Sequence, residues 1–406
     1  MSTINSLNME KLLSRRASQL SVAASAPAPA HPISFDSGHA FPAVLPDLTA
    51  EAEVALQAYR PETLQYAPRP GLSDLREWIA DYMHKDGIRN VSADEVLVTN
   101  GAKHALELVC RVLLDEGDAI VVTSPTYFTA IPIFRSFGVE FIEIQQDSEG
   151  LDVGELEQVL ARRKRDGKRL PKFIYDVPDF HNPTGVTMSL KRRESLLALA
   201  EANGIFVVED SPYRRVIFEG ELQPSLKALD RADIVFLLGT FSKIMAPGLR
   251  IGWVHCSRGM VQRMIQLKTD GGSCPLTQRM IVEFCRAGRL PAHIEKVQGV
   301  YRDHRDRMVS AVRRELPDAR MSVPQGGYYV WLTFPRGADG DKLAGLAAKE
   351  NVVLIPGSRF YAVNGGRPPG EASPKNQIRL AYSHATFDEI DEGVKRIGQI
   401  YLSLHG

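Results

Sequence analysis

Cysteine is scarce in this 406-residue chain. Only four cysteines occur, and none stands in a C-x-x-C pair. A disulfide framework and a thiolate metal site are therefore not indicated, and we expect no metal site. This cysteine usage is typical of proteins in a reducing compartment, so we predict a cytoplasmic location.

Long apolar runs and an excess of one charge are also missing. No stretch approaches the roughly 18 apolar residues of a membrane span, and the N-terminus lacks the apolar core of a secretory signal. Lys plus Arg and Asp plus Glu number 49 each, so there is no net charge to attract nucleic acid or anionic membrane. We therefore expect binding to neither. No G-x-G-x-x-G follows the first predicted strand, which argues against a nicotinamide dehydrogenase.

The N-terminal segment is biased in composition. Residues 21–32 (SVAASAPAPAHP) are rich in Ala, Pro and Ser, which is typical of an extended linker. The preceding stretch, with Arg15, Arg16 and several serines, weakly resembles an organelle transit peptide, but Glu10 and its shortness count against that alternative. We predict a mobile arm or linker over residues 1–32.

From about residue 50, short apolar strands alternate with helical patterns. The predicted strands are EVLVTNG, AIVVTSP, VEFIEI, KFIYDVP, IFVVEDSP and DIVFLLGTFSK. AKHALELVCRVLLDEGD has apolar residues at helical spacing, and Ser189 and Gly204 can begin and end a helix over LKRRESLLALAEAN. The alternation predicts an α/β fold whose mostly parallel sheet is covered by helices on both faces.

The pattern changes after about residue 290. A long polar helix (HIEKVQGVYRDHRDRMVSAVRREL) precedes GGYYVWLTF, VVLIPG and QIRLAYS, which predict a smaller sheet. We therefore predict a large domain over residues 50–290. Residues 33–49 together with 291–406 are predicted to form a second, smaller α+β domain.

Polar side chains follow the ends of several predicted strands. Ligands bind at the carboxyl ends of strands in open α/β sheets, so these side chains are candidates for one site. Each also has an ordinary structural explanation. These are a strand-to-helix turn at Gly101 and Ala102, a core tyrosine at Tyr127, a surface turn at Asn182, a helix N-cap at Asp210, and surface charges at Lys243 and Arg250.

The functional interpretations converge on one ligand. Backbone N–H groups at Gly101 and Ala102 favour a phosphate, and a second anion cradle is offered by Thr240, Ser242 and Arg250. Tyr127 can stack on a flat ring, and Asn182 can donate to an oxygen on it. Asp210 requires a cation or a protonated nitrogen, and Lys243 offers an amine to an aldehyde. Pyridoxal 5′-phosphate (PLP) has all of these groups.

At this point the sequence resembles a known family. The ordered motifs TNGAKHAL, SPTY, NPTG, EDSPY, FSKIMAPGLRIGW and IRLAYS are similar to those of the class I/II aminotransferases of PLP fold type I. The resemblance runs from about Ile33 to the C-terminus and is nearest to the 2-aminoadipate and kynurenine aminotransferase branch. It implies a PLP enzyme of amino-acid metabolism and biosynthesis. The reaction would move the amino group of an L-amino acid to a 2-oxo acid, 2-oxoglutarate by resemblance, with ping-pong kinetics.

The resemblance also implies a role for each site residue. Lys243 would form the internal aldimine, Asp210 would pair with the pyridine nitrogen, and Tyr127 would be the third catalytic residue by stacking on the ring. Asn182 and Tyr213 would hold the ring oxygen. The phosphate would be held by the backbone at Gly101, Ala102 and Lys103, by Thr240, Ser242 and Arg250, and by Tyr66 of a neighbouring subunit, which implies a homodimer. Arg379, with Asn182 and Gly38, would bind the substrate carboxylate end.

Several positions depart from the family pattern and leave the amino donor open. Ala102 and Lys103 stand where many relatives have Ser and Gln, Ser124 where Glu is common, His181 where Gln is common, and Tyr328 and Tyr329 replace a frequent Met-Phe pair. Another PLP reaction, such as decarboxylation, elimination, cyclisation or oxidation, is an alternative on the same scaffold. A non-enzymatic effector-sensing domain of a regulator is a second alternative, but no helix-turn-helix module precedes the α/β part.

Overall fold

The computed structural model describes residues 12–18, 31–363 and 374–405. The predicted arm over residues 1–32 lies largely outside these residues, and within it helix α1 spans Arg15–Ser18. In the described part of the chain, no helix combines the length and the apolar character needed to cross a bilayer.

A large eight-stranded sheet has the order β2-β9-β8-β7-β6-β3-β4-β5. Strands β3, β4, β6, β7 and β8 run parallel to their neighbours in this group, whereas β9 and the edge strand β5 are antiparallel. The predicted, mostly parallel sheet is thereby confirmed. Its strands are β2 (Val96–Thr99), β3 (Ala119–Ser124), β4 (Glu140–Asp147), β5 (Gly150–Leu151), β6 (Phe173–Asp176), β7 (Phe206–Asp210), β8 (Val235–Thr240) and β9 (Gly252–His255).

Helices cover both faces of this sheet because alternate strand residues point to opposite sides. Ile120 and Val122 of β3 share a buried cluster with Leu106 of α5. Val121, between them, packs instead with Leu156 of α7. The covering helices are α5 (Ala102–Leu113), α6 (Ala130–Arg135), α7 (Val153–Arg165), α8 (Leu190–Asn203), α9 (Leu226–Leu229) and α10 (Arg258–Leu267).

The limits of α8 agree with the prediction from its caps. The Ser189 hydroxyl accepts a hydrogen bond from the Arg192 N–H, and Gly204 ends the helix with a left-handed φ of 63°. Four further helices pack against one another beside β2. They are α2 (Thr49–Gln57), α3 (Arg60–Thr63), α4 (Ser73–Lys85) and α11 (Pro275–Arg286).

A three-stranded antiparallel sheet, β10-β13-β12, forms a second hydrophobic core. The N-terminal segment joins it, since β1 pairs with β11 and Phe35 packs in the same core. The limits at residues 50 and 290 stay a prediction. The elements are β1 (Ile33–Ser34), α12 (Arg289–Glu315), β10 (Tyr329–Thr333), α13 (Gly340–Lys349), β11 (Val352–Val353), β12 (Ile355–Pro356), β13 (Gln377–Ala381) and α14 (Phe387–His405).

The sequence analysis did not predict strand β9. It runs antiparallel between β2 and β8, and Gly252 at its start allows a close approach of backbones. A Cβ on Gly252 would lie 2.7 Å from the Gly239 carbonyl oxygen and 2.8 Å from the Gly101 carbonyl carbon. This close approach places Arg250, which lies just before β9, beside the start of α5.

Candidate active site

A cavity of about 670 Å³ lies at the carboxyl ends of the large sheet and is closed by residues of the smaller sheet. Most of the predicted site residues line it, although they come from distant parts of the chain. They are Gly38, Ala102, Lys103, Tyr127, Asn182, Asp210, Tyr213, Thr240, Ser242, Lys243, Arg250 and Arg379.

Two predicted residues do not line the cavity. Gly101 stands directly before α5 with a φ of 89°, and a Cβ there would lie 3.0 Å from Nη2 of Arg250. Gly101 therefore permits the close approach of the guanidinium. Tyr66 is 86% exposed, and its ring lies beside Gly271.

One end of the cavity is rich in donors for an anion. The first N–H groups of a helix have no partner within it, and the backbone bond from His104 to the Gly101 carbonyl is the first that α5 makes. Arg250 is held close by, because its Nη2 donates to the Asn100 carbonyl at 3.1 Å. The Thr240 and Ser242 hydroxyls lie 2.9 Å apart, and both residues line the cavity. This donor set fits a phosphate group.

Asp210 ends β7 and is only 4% exposed. Its Oδ2 accepts a hydrogen bond from the Tyr175 hydroxyl at 2.8 Å, whereas its Oδ1 has no partner among the described residues. Burial raises the pKa of this carboxyl to about 6, although the Tyr175 hydrogen bond acts in the opposite direction. A buried carboxylate with a free oxygen fits a cationic partner, such as a protonated ring nitrogen.

Sequence reasoning missed Tyr175, the hydrogen-bond partner of Asp210. Tyr175 pairs with Val208 in the register of β6 and β7, two residues before Asp210 and hence on the same face of the sheet. A tyrosine near the end of the strand that precedes a buried acid is the signal that could have indicated this contact.

Lys243 follows β8 and lines the cavity. Its Nζ donates to the Gly38 carbonyl at 2.7 Å and lies 4.8 Å from the centre of the Tyr328 ring. Burial lowers the pKa of this amine to about 8, and the nearby cations Arg379, Arg250 and Lys103 act in the same direction. A neutral, nucleophilic amine is therefore accessible near neutral pH.

We expect the unliganded protein to show this lowered pKa directly. Acetylation of Lys243 by acetic anhydride, followed by peptide mass spectrometry, should rise with pH around a midpoint near 8 rather than the ordinary 10.5. The free energy of unfolding should also change with pH. The unfolded chain holds this proton up to the ordinary pKa, so the unliganded protein becomes more stable as pH rises from about 8 to 10.5.

The control for this prediction is Arg379→Gln. It removes the neighbouring cation that contributes most to the lowered pKa of Lys243, so the midpoint should move upward. A midpoint close to 10 in the unsubstituted protein would contradict the assignment.

Arg379 on β13 also lines the cavity and is 1% exposed. Its Nη1 donates to Oδ1 of Asn182 at 3.1 Å, and its Nη2 donates to the Asp36 carbonyl. The guanidinium lies 4.1 Å from the centre of the Tyr329 ring. Its Nε has no partner among the described residues, so a donor remains for a carboxylate.

Residues 35–40, which we call the strap, position Gly38 over Lys243. The Ala381 N–H donates to the Phe35 carbonyl, and the Ser383 hydroxyl donates to the His39 carbonyl at 2.7 Å. Both bonds tie the strap to β13 and the residues after it. Sequence reasoning found Gly38 in the strap and noted Tyr329 only as a departure from the family pattern. It missed the other cavity residues, namely Asp36, Ser37, His39, Leu106, Phe128, Thr129, Val177, Pro212, Pro247 and Ile355.

Two departures from the family pattern lie at the ends of β3 and β6. His181 is 1% exposed, and its ring nitrogens lie 3.0 Å from the Thr123 hydroxyl and 3.2 Å from the Thr184 hydroxyl. Burial lowers the pKa of His181 to about 3, so it is a neutral core histidine. The Ser124 hydroxyl is buried without a partner in the described part of the chain. Neither residue lines the cavity.

Comparison with known proteins identifies the family of this chain. The family model for aminotransferases of class I and II matches residues 33–397. The 2-aminoadipate transaminase of Thermus thermophilus is 35% identical over 376 residues, which cover 90% of this chain and 89% of the relative.

Solved structures give the same result. The kynurenine aminotransferase of Pyrococcus horikoshii is 32% identical with a TM-score of 0.91, and the match covers 100% of both chains. LysN, the alpha-aminoadipate aminotransferase of Thermus thermophilus, is 32% identical with a TM-score of 0.88 and 98% and 99% coverage, and its structure contains N-(5′-phosphopyridoxyl)-L-leucine. The predicted resemblance and fold are confirmed, and the chain belongs to the class I and II aminotransferases, a family of pyridoxal-phosphate-dependent enzymes.

Proposed function

We propose that this enzyme transfers the amino group of an L-amino acid to 2-oxoglutarate in a ping-pong reaction. Lys243 is the amine that bonds to the aldehyde of the cofactor. One observation carries the proposal. An amine with a lowered pKa shares a cavity with a buried carboxylate that has a free oxygen and with a buried guanidinium that has a free N–H.

Each group of cavity residues would then bind a different part of the cofactor. Asp210 keeps the ring nitrogen protonated, and Asn182 and Tyr213 donate hydrogen bonds to the ring oxygen. Tyr127 packs on the ring. The donors at the start of α5, with Thr240, Ser242 and Arg250, hold the phosphate. Bound pyridoxal phosphate supplies an electron sink for the negative charge that develops at the substrate Cα.

Lys243 also acts as the general base. In the unliganded protein the pKa of this amine is lowered to about 8, which would suit proton transfer once the substrate amine has freed Nζ from the cofactor. With the cofactor bound, Nζ would take the proton from the substrate Cα and return it on the cofactor side. The Gly38 carbonyl, which accepts from Nζ, would hold the amine in place for this transfer.

Arg379 binds the α-carboxylate of both substrates. We expect Arg379→Lys to raise KM for the amino acid and the 2-oxo acid by about 10- to 100-fold, because the charge stays but a charged hydrogen bond is lost. Steady-state kinetics with both substrates measure this effect. Arg359→Lys, on the short 3₁₀ helix Gly357–Phe360 outside the cavity, is the control and should leave KM unchanged. An unchanged KM in Arg379→Lys would show that another cation holds the carboxylate.

A second copy of the chain completes the site in this proposal. Tyr66 is exposed and lies outside the cavity of its own chain, which supports a role for its hydroxyl at the phosphate of a neighbouring subunit. We therefore propose that the protein is a cytoplasmic homodimer. Each subunit would contain the two domains predicted above. Light scattering of the purified protein tests the dimer, and Tyr66→Phe should weaken cofactor binding without dissociating the dimer.

The reaction is tested by absorbance spectroscopy. An amino acid alone should convert the aldehyde band of the holoenzyme to that of the amine form, and 2-oxoglutarate should restore it. A panel that includes kynurenine and 2-aminoadipate, after the relatives, identifies the donor. Release of carbon dioxide or ammonia without the amine form would favour the alternative PLP reactions.

A further inference from the structure

The Tyr329 hydroxyl occupies a confined position inside the cavity. Tyr329 begins β10 and is 5% exposed, and its ring packs against the Arg379 guanidinium. A Cβ on Gly38 would lie 2.3 Å from this hydroxyl oxygen and 3.3 Å from Nζ of Lys243. A side chain at position 38 would therefore collide with the hydroxyl, which lies in the same confined space as the reacting amine.

The partner of this hydroxyl is Tyr213. The two phenol oxygens lie 3.2 Å apart, and Nδ2 of Asn182 donates to the Tyr213 oxygen at 3.5 Å. A phenol has one proton to donate and can accept hydrogen bonds on the same oxygen. If Tyr213 gives its proton to the ring oxygen of the cofactor, the bond within the pair must run from Tyr329 to Tyr213.

We propose that Tyr329 is a positioning residue for Tyr213: its hydroxyl donates to the Tyr213 hydroxyl and strengthens the hydrogen bond that Tyr213 gives to the ring oxygen. The inference rests on the proposed function, since it uses the cofactor orientation proposed there. Tyr329 stands at one of the departures from the family pattern, so this hydroxyl is an addition that the motifs did not reveal.

Burial of the pair keeps the Tyr213 phenol protonated, although the nearby Arg379 acts in the opposite direction. Arg379, Tyr127, Tyr328 and Lys243 are the charged and titratable groups that face it. Burial raises the pKa of Tyr213 well above its ordinary value, and the neighbouring Tyr329 raises it further. The Tyr213 hydroxyl therefore keeps the proton that it donates.

The pair has a consequence for the Lys243-bound cofactor. A hydrogen bond to the ring oxygen is strongest when that oxygen carries its full negative charge. The oxygen has this charge when the neighbouring Lys243 nitrogen has lost its proton. The hydrogen bond therefore favours proton loss and lowers the apparent pKa of the visible absorption band. Removing the Tyr329 hydroxyl weakens this effect, so the apparent pKa should rise.

The test is a pH titration of the visible absorbance of the holoenzyme. Tyr329→Phe, which keeps the ring under Arg379, should raise the apparent pKa by about half a unit to one unit, the effect of losing one neutral hydrogen bond. Tyr382→Phe is the matched control, because it also removes a buried hydroxyl, one that donates to the Gly327 carbonyl at 2.8 Å outside the cavity. It should leave the apparent pKa unchanged.

A double-mutant cycle decides whether Tyr329 acts through Tyr213. In a Tyr213→Phe background, adding Tyr329→Phe should not move the apparent pKa further. An equal shift in both backgrounds, or no shift in Tyr329→Phe alone, overturns the inference but leaves the proposed function intact. An unsubstituted protein that forms no visible band with pyridoxal phosphate overturns both. Thermal unfolding of each variant shows that a changed pKa is measured on folded protein.

Discussion

Replacing Lys243 by alanine is expected to lower the turnover number by at least about 10⁴-fold, because the substitution removes both the covalent attachment and the general base. The measurement has two parts. Single-turnover kinetics with an amino acid report the chemical step. Borohydride reduction followed by peptide mass spectrometry reports the covalent attachment, which should disappear from the peptide that contains residue 243.

Lys103→Ala is the matched control for this prediction. Lys103 lines the same cavity and also has a pKa lowered by burial and by Arg250. Its proposed contribution comes from the backbone N–H, which alanine retains. The borohydride label should therefore stay on the Lys243 peptide in Lys103→Ala. A label on the Lys103 peptide of the unsubstituted protein would contradict the assignment of Lys243.

The site could be predicted from the sequence to the extent that it depends on strand ends. Asn182, Asp210 and Lys243 each follow a short apolar strand, and the carboxyl ends of parallel strands meet at one edge of a sheet. Local sequence patterns are therefore enough to predict that these residues lie together at one edge of the sheet. The start and end of α8 were predictable for a similar reason, since Ser189 and Gly204 act on their immediate neighbours.

Other parts of the site depend on contacts that local patterns do not contain. The Asp36 carbonyl that binds Arg379 is 343 residues away in the chain, and the two meet because β1 pairs with β11 while the strap crosses β13. Strand β9 was missed because it pairs with both β2 and β8. These two strands are separated by most of the sequence of the large sheet, so no local pattern indicates the pairing. The Tyr213–Tyr329 pair joins the two sheets and has no sequence spacing that indicates it.

The second large effect is expected at Asp210. Asp210→Asn keeps the shape of the side chain and an oxygen for the Tyr175 hydroxyl, but it removes the negative charge that holds a proton on the ring nitrogen. We expect turnover to fall by about 10³-fold, within the range for loss of a strong electrostatic contact in a dry site. Cofactor binding should persist, because Lys243 and the phosphate donors are unchanged.

Two comparisons isolate the charge as the cause of this loss. Asp176→Asn is the matched control, since Asp176 ends the neighbouring strand β6 in a buried position outside the cavity and its pKa is also raised by burial, to about 7. Turnover should change little in that variant. A cofactor analogue methylated on the ring nitrogen carries a permanent positive charge and does not need a carboxylate to keep it, so it should restore part of the turnover of Asp210→Asn. If the analogue restores nothing while Asp210→Asn still binds it, the loss arises from a distorted cavity, and the proposed pairing of Asp210 with the ring nitrogen is wrong.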